Sequence, residues 1–249
     1  MKQQQTLCLG ARMAKFASLW VGNPMTKIQE VSLSSFIYHG HDLTLYVYDM
    51  DMKVPEGVQK AFAGDIMDES EMFLVQDTYA AFSDLFRYRM IKKTGLTWVD
   101  ADTICLSPDW DGLGDTYACL ENDTVVGGVL ALPKDSPALN YLIKKSTQFD
   151  KTKIKWTDVG PALVDKTFRA FELMDHVHPM EVFCGVHWSQ WEKLWNPKHI
   201  KEIKLLEKTS KSISVYHSMT TRGGIDKNYF PPKSAMEYFY DKFVMKKWG

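Results

Sequence analysis

The sequence contains few cysteines and no long apolar run. Its four cysteines, Cys8, Cys105, Cys119 and Cys184, stand singly, without the CxxC spacing that brings two thiolates to one zinc ion, so we expect buried free thiols. No window approaches the roughly 18 apolar residues that cross a membrane, and the N-terminus lacks a signal-peptide pattern. Internal repeats are also absent from the sequence. We therefore expect a soluble cytoplasmic protein that is neither a zinc ribbon nor a repeat array.

Net charge is almost absent as well. The 249 residues include 30 Lys and Arg against 31 Asp and Glu, and 45% are hydrophobic, which is typical of a globular protein and excludes disordered and collagen-like chains. This length allows one large or two small domains. The near-zero total conceals an asymmetry, since residues 1–143 carry 11 basic and 19 acidic side chains whereas residues 144–249 carry 19 and 12. The pattern predicts a molecule with one acidic and one basic side.

The first 50 residues predict a strand, a helix and a second strand. The apolar run at 16–21 ends at Gly22 and is typical of a buried strand, residues 25–38 have helical spacing, and residues 43–48 are β-branched and aromatic. This succession is typical of a βαβ unit. Scattered Gly, Pro and acidic residues predict irregular chain over 49–76. At the other end of the sequence, an amphipathic aromatic helix with basic neighbours is expected from Lys233 onwards.

The clearest helix of the sequence lies between Asp77 and Gly95. Phe82, Leu85, Phe86 and Met90 form its apolar stripe, Asp77 is the expected N-cap, and Gly95 follows basic residues at the expected C-terminus. A short buried strand at 96–99 comes next. Further strands are predicted at 117–120 and 128–132, and further helices at 137 onwards, after Ser136, and at 161–171.

Asp100 and Asp102 follow the predicted strand at 96–99. Open α/β sheets place their ligands at the carboxyl ends of strands. Two carboxylates at this spacing repel each other unless a cation or proton lies between them, and Mg²⁺ or Mn²⁺ prefers such oxygen ligands. A solvated turn or a helix-capping pair is the alternative interpretation of a D-x-D pattern. On the preceding helix, Asp84 and Arg87 are three residues apart and could face the same strand end, or form an ordinary surface ion pair.

These residues together resemble the sugar-binding block of a known enzyme family. The run AFSDLFRYRM at 81–90, followed by GLTWVDAD at 95–102, resembles the block of glycosyltransferases with a DXD sugar-binding region, typically ASDLLRY followed by GGIYLDTD. Capsular-polysaccharide enzymes, α-1,4-galactosyltransferase relatives and large clostridial glucosylating toxins share it. Leu19-Trp20-Val21-Gly22 resembles the first nucleotide-binding strand of the family, Gly160-Pro161 its TGP segment, and Tyr216-His217 its late histidine.

The resemblance implies a GT-A fold, which is a single Rossmann-like α/β domain with a mixed central sheet. It would span residues 1–249, with a half that binds nucleotide sugar and metal at 1–120 and an acceptor half at 121–249. The implied metal, Mn²⁺ or Mg²⁺, would be bound by Asp100, Asp102 and His217. The implied donor-binding residues are Leu19, Trp20, Val21, Asp84, Arg87, Asp100 and His217, and Arg222 is added as a candidate from its own chemistry. The expected catalytic residues are Asp84, Arg87, Asp100 and Asp102, together with Asp158, whose carboxylate could stabilise the positive charge that develops on the sugar.

The implied activity is metal-dependent transfer of a sugar, of the EC 2.4 hexosyltransferase class, from a UDP-sugar to a hydroxyl acceptor with retention of configuration. A metal-dependent phosphohydrolase and an inactive carbohydrate-binding GT-A protein are the alternatives. The acceptor stays open between a glycan, a lipid-linked sugar and a nucleic-acid base, including that of a phage-encoded enzyme acting in the host cytoplasm. The basic C-terminal helix adds peripheral membrane contact as an alternative to core packing.

Several other residues have both a structural and a functional interpretation. The pairs His39/His41 and His176/His178 lack a third metal ligand at recognisable spacing, so structural roles are expected. Trp188, Trp191 and Trp195 form a helical stripe that favours core packing over sugar stacking. Gly127-Gly128 and Gly223-Gly224 are expected in turns, and Arg222, beside the second pair, could bind a diphosphate.

Overall fold

A seven-stranded mixed sheet lies at the centre of the protein. The computed structural model describes residues 13–22 and 24–246, apart from the side chain of Trp156. The strands are β1 (Lys15–Leu19), β2 (Asp42–Val47), β3 (Gln59–Phe62), β4 (Thr97–Val99), β5 (Thr103–Cys105), β6 (Tyr117–Glu121), β7 (Thr124–Ala131), β8 (Val177–His178) and β9 (Ser212–Ser214). The order in the sheet is β3-β2-β1-β4-β7-β6-β8, and β5 pairs separately with β9. Strands β1 to β4 run parallel, whereas β7 is antiparallel to β4 and to β6, which confirms the predicted α/β fold with a mixed sheet.

Helices cover this sheet. They are α1 (Lys27–Tyr38), α2 (Ala80–Thr94), α3 (Pro137–Ser146), α4 (Trp156–Val159), α5 (Pro161–Ala170), α6 (Met180–Phe183), α7 (Ile200–Leu206), α8 (His217–Arg222) and α9 (Ala235–Phe239). A π-helix, Tyr240–Val244, continues α9, and 3₁₀ turns lie at Ala63–Asp65, Glu69–Glu71, Met174–His176, Trp188–Leu194 and Pro197–His199. In the described part of the chain, no helix has the length and apolar character needed to cross a membrane.

The predicted βαβ unit is formed by β1, α1 and β2. The two strands are parallel, with Phe16 opposite Leu43. The helix starts at Lys27 rather than at 25, because the side chains of Thr26 and Gln29 form a capping box before it. Because β1, β2 and β4 are parallel, their carboxyl ends share one edge of the sheet, which is called the ligand edge below.

Helix α2 confirms the strongest helix prediction and corrects its start. Gly95 ends it in the left-handed conformation, with φ 74°, and the backbone N–H of Gly95 donates to the carbonyl of Ile91. The sequence predicts Asp77 as the N-cap of this helix, and that prediction is wrong. Asp77 lies in a tight turn closed by Val75 and Thr78 and has a φ of 59°. Tyr79 occupies the N-cap position instead.

The segment 49–76, predicted to be irregular, contains the edge strand β3. Its four residues are exposed or half-buried, and it pairs with β2 alone in the sheet order. An edge strand with an exposed face needs no apolar run, so hydrophobic patterning does not detect it. The strand adds a third parallel neighbour to the βαβ unit.

Among the residues that the structure describes, buried side chains form three clusters. One lies under α2, α3 and α5, a second lies between the sheet and α1, and a third lies below α9 and the π-helix. Trp191 and Trp195 belong to the third cluster, as predicted, whereas Trp188 is 42% exposed. Phe239 and Phe243 are buried there as well, so the aromatic face of the C-terminal segment packs in the core. Cys105, Cys119 and Cys184 are buried free thiols as expected, and Cys8 lies outside the described residues.

Candidate active site

The two aspartates of the D-x-D pattern lie in the turn between β4 and β5, at the ligand edge. The Asp100 amide donates to the carbonyl of Gly128 on β7, and the Thr103 amide donates to the carbonyl of Asp100. Strand β5 then pairs with β9. This pairing brings the segment around His217 to Asp102, where the His217 backbone N–H donates to Asp102 Oδ2 at 2.6 Å.

Arg87 links two carboxylates beneath this turn. Its Nη2 lies 3.0 Å from Asp84 Oδ1, one helical turn earlier on α2, and 2.9 Å from Asp100 Oδ1. Trp98 Nε1 donates to the same Asp100 oxygen at 2.7 Å. Asp84 and Arg87 are only 6% and 5% exposed, whereas the Asp100 side chain is 38% exposed. The cluster is therefore a buried ion-pair network that orients one accessible carboxylate, and not a surface ion pair.

Glycines border this network on two sides. A Cβ atom on Gly127 would overlap the Arg87 guanidinium, and one on Gly160 would overlap the Asp84 carboxylate. A Cβ on Gly128 would lie 3.2 Å from Asp100 Oδ2. The prediction that Gly127 and Gly128 lie in a turn is wrong, since both are inside β7. Glycine is needed there because the strand passes so close to Arg87 and Asp100 that a side chain would not fit easily.

Burial raises the pKa values of all three carboxyl groups. The pKa of Asp84 rises to about 7, because burial outweighs the opposing charge of Arg87. The pKa of Asp100 rises to about 6, because its partial burial and the charge of Asp102 together outweigh the opposing charge of Arg87. Partial burial also raises the pKa of Asp102. Two adjacent carboxyl groups with raised pKa values would be stabilised as anions by an added cation.

Lys227 is the residue of this site that sequence reasoning missed. Burial lowers the pKa of Lys227, and the opposing charge of Asp102 only partly offsets this effect. The positive charge of Lys227 in turn lowers the pKa values of Asp102 and His217. Burial and Lys227 together lower the pKa of His217 to about 4, so its imidazole is neutral at neutral pH. Lys227 follows α8 in an irregular segment without a recognisable motif, so only the folded chain identifies it.

An aromatic cleft of about 320 Å³ opens at the ends of β1 and β2. Trp20, Val21 and Gly22 line one part of it, and its other lining residues are Tyr48, Asp49, Met52, Glu69, Met72 and Tyr79. The Trp20 ring meets the His217 ring edge to face, with centroids 5.9 Å apart, so the cleft and the acidic turn are adjacent. Leu19, the third residue expected here, is buried in the core.

Besides Leu19, two further predicted site residues, Asp158 and Arg222, have other surroundings. The Asp158 carboxylate accepts a hydrogen bond from the Lys155 backbone N–H at 2.9 Å, at the start of α4, and lines a separate cleft with Tyr141 and Lys166. Arg222 is exposed at the end of α8. The geometry therefore brings together Asp84, Arg87, Asp100, Asp102, His217, Trp20 and Val21, with Lys227 added.

The predicted metal ligands do not form a ready-made cage. Over residues 13–22 and 24–246, no group of three or more His, Cys, Asp and Glu side chains is arranged to hold a metal ion. Asp102 meets His217 through the backbone N–H of the histidine and not through its imidazole. Two neighbouring carboxylates nevertheless fit Mg²⁺ or Mn²⁺, because such ions are commonly bound by one or two carboxylates together with substrate phosphates and water.

Comparison with known proteins gives structural similarities only. No protein-family model matches the chain, and no curated protein sequence matches it. The PaToxG glycosyltransferase is 12% identical, with 92% of this chain and 83% of that chain covered and a TM-score of 0.49. The WbbM bifunctional glycosyltransferase, solved in its apo form, is 11% identical, with 94% and 50% covered and a TM-score of 0.45. The printed names of both proteins describe glycosyltransferases, and the chain spans half the length of the second protein.

Proposed function

We propose that the protein is a metal-dependent glycosyltransferase that moves a sugar from a UDP-sugar to a hydroxyl acceptor. The observation that carries this proposal is the contact of Trp20 with His217, which joins the aromatic cleft to the carboxylates Asp100 and Asp102. A nucleotide sugar has the matching order of parts, with a flat base, a ribose, a diphosphate and a sugar. The base would occupy the cleft, and the diphosphate would lie over the acidic turn.

The cleft offers chemistry suited to a nucleoside. Trp20, Tyr48 and Tyr79 supply aromatic rings for stacking on a base, and the Asp49 carboxylate can accept hydrogen bonds from ribose hydroxyls. Its volume of about 320 Å³ is at the lower end of the range for small-molecule sites. A nucleoside placed there would direct its phosphates toward His217 and Lys227.

The turn offers chemistry suited to a diphosphate. Asp100 and Asp102 would hold Mg²⁺ or Mn²⁺ together with diphosphate oxygens, and the bound ion would neutralise the charge that develops on the leaving diphosphate. Lys227 would add a second positive charge there, and its partial burial strengthens that interaction. The neutral imidazole of His217 adds no charge that would repel a cation.

Asp84 and Arg87 are positioning residues in this proposal. Their low exposure leaves little surface for substrate, and the Arg87 guanidinium holds one oxygen of Asp100 in place. The other oxygen of Asp100 would then face the donor. A fixed carboxylate beside the anomeric carbon stabilises the positive charge that develops there as the bond to phosphate breaks.

Nucleotide release tests the proposal. The purified protein is incubated with a panel of UDP- and GDP-sugars in manganese or in EDTA, and released nucleoside diphosphate is measured. We expect slow, manganese-dependent release of UDP from one UDP-sugar, loss of that release in Asp102→Asn, and its retention in Asp109→Asn, an exposed aspartate bound to Lys211. Proton NMR of the transferred sugar then checks the expected retention of configuration.

Other outcomes separate the alternatives. Cleavage of UDP itself to UMP and phosphate, without any need for a sugar, would indicate a phosphohydrolase. Thermal stabilisation by UDP and manganese without turnover of any donor would indicate a binding protein. Neither release nor stabilisation with any nucleotide would contradict a nucleotide-sugar site altogether.

A further inference from the structure

Two buried thiols face each other away from the proposed donor site. Cys119 lies on β6 and Cys184 directly follows α6, and their Sγ atoms are 3.1 Å apart although the residues are 65 positions apart in the sequence. Sulfur atoms in a disulfide are about 2.05 Å apart, so the two Sγ atoms need to approach each other by only about 1 Å to form a covalent bond. We propose that Cys119 and Cys184 are a disulfide-forming site that is closed by a peroxide.

The surroundings make this pair different from the third described cysteine. Cys105 is completely buried, and its thiol donates to the carbonyl of Ser107 at 3.3 Å. Cys184 is 7% exposed and Cys119 only 1%, so Cys184 is the thiol that a small oxidant reaches first. The hydrogen bond with Cys119 and burial raise the pKa of Cys184, so little thiolate is present at neutral pH and the reaction with peroxide is slow.

The reaction has two balanced steps. The Cys184 thiol first loses its proton to water, and the thiolate sulfur attacks one oxygen of hydrogen peroxide. The O–O bond breaks, the departing hydroxide takes up the released proton as water, and Cys184 is left as a sulfenic acid. The Cys119 sulfur then attacks the Cys184 sulfur, the S–O bond breaks, and the hydroxide leaves as a second water with the Cys119 proton. One peroxide is reduced, and two thiols are oxidised to one disulfide.

The bond would connect the central sheet to the segment that supports the acidic turn. The Ser214 amide donates to the carbonyl of Cys184, and the next amide, that of Val215, donates to the carbonyl of Asp102. Tyr216, held with a φ of 55°, donates its hydroxyl to the Glu121 carboxylate, two residues after Cys119, and to the Val186 carbonyl, two residues after Cys184. Closure would therefore fix the register of the chain that leads to His217, and would restrict the unfolded chain across a long loop.

Peptide mapping tests the proposal on the full chain. The reduced protein is treated with hydrogen peroxide, alkylated and digested without reductant. We expect a peptide that links Cys119 to Cys184 and that disappears after dithiothreitol. In Cys119→Ser and Cys184→Ser the linked peptide should be absent, whereas the control Cys105→Ser should still form it. Circular dichroism of the untreated variants shows whether each one is folded.

Thermal unfolding provides an independent measurement. Oxidation should raise the Tm of the wild-type protein by about 5 °C or more, because a loop of this size is closed in the unfolded state, and should not raise that of Cys119→Ser. Two outcomes would overturn the proposal. One is a folded, peroxide-treated protein in which Cys119 and Cys184 both remain alkylatable after denaturation. The other is oxidation to sulfinic acids without a linked peptide.

Discussion

Arg87 is the positively charged partner of two carboxylates, those of Asp84 and Asp100. Replacing it by methionine, which has similar length and no charge, leaves Asp84 buried without its partner. We expect Arg87→Met to lower the free energy of unfolding by about 3 kcal/mol, as measured by urea denaturation. Arg89→Met on the same helix is the matched control, since Arg89 pairs with Glu71 near the surface and should cost less than about 1 kcal/mol. Equal losses in the two variants would contradict a special role for the buried network.

Gly127 tests how tightly β7 packs against this network. An added methyl group would overlap the Arg87 guanidinium, which two carboxylates hold in place, so Gly127→Ala should cost about 1–3 kcal/mol of unfolding free energy. It should also weaken the thermal stabilisation by UDP and manganese, because Asp100 shifts with Arg87. Gly128→Ala places its methyl 3.2 Å from Asp100 Oδ2 and should have a smaller effect on stability. A larger loss of unfolding free energy in Gly128→Ala than in Gly127→Ala would contradict this prediction.

Among the secondary structure elements, the end of α1 contains a buried titratable contact with the C-terminal π-helix. His39 packs against the rings of Tyr38 and Phe243, and its Nε2 is buried without a hydrogen-bond partner. Burial, with contributions from Lys242 and His41, lowers the pKa of His39 from 6.5 to about 3. The imidazole is therefore neutral in the folded protein at pH values well above 3.

This lowered pKa makes the contact sensitive to acid. Below about pH 6.5 the unfolded chain binds a proton at His39 that the folded chain does not, so stability falls as the pH falls from about 6.5 toward about 3. We expect the contribution of His39 to the free energy of unfolding to decrease by about 1–2 kcal/mol as the pH falls from about 6.5 to about 5. Urea unfolding of wild type and His39→Phe measures it, and the difference between the two should change with pH in that direction. A constant difference would show that His39 titrates equally in both states.

Across the whole molecule, the two halves of the chain share one sheet. Strand β4 from the first half pairs with β7 from the second, and β5 pairs with β9. The amide of Lys27, at the start of α1, donates to Asn228. The proposed donor and acceptor halves, 1–120 and 121–249, therefore depend on each other for their hydrogen bonds.

This interdependence predicts one cooperative unfolding transition. Urea unfolding followed by far-UV circular dichroism and by tryptophan fluorescence should give coincident curves for the full chain. The two signals report on different features of the molecule, since fluorescence follows the surroundings of individual tryptophans, two of which lie in the third buried cluster, whereas helices are distributed throughout. Two separate transitions, with fluorescence changing first, would show that the second half unfolds independently.

Local pattern in the sequence was sufficient for much of the fold. Periodicity and capping residues predicted α1, α2 and α5 to within a few residues and the start of α3, and apolar runs predicted β1, β2, β4, β6 and β7. Edge strand β3 was not predicted, because its exposed and half-buried residues form no apolar pattern. The N-cap of α2 was predicted wrongly, because a turn at Asp77 replaces the first helical turn.

The sequence by itself determined the acidic turn of the candidate site, and only the tertiary structure decided what surrounds it. Asp84, Arg87, Asp100 and Asp102 lie within 19 consecutive residues, on α2 and in the turn that follows the short strand β4, so their proximity results from the packing of neighbouring elements. Lys227, the glycines of β7 and the Cys119–Cys184 pair meet the rest of the chain across long loops, where strand pairing sets the contacts. Local propensity carries no information about such contacts, because they form only when the whole sheet is assembled.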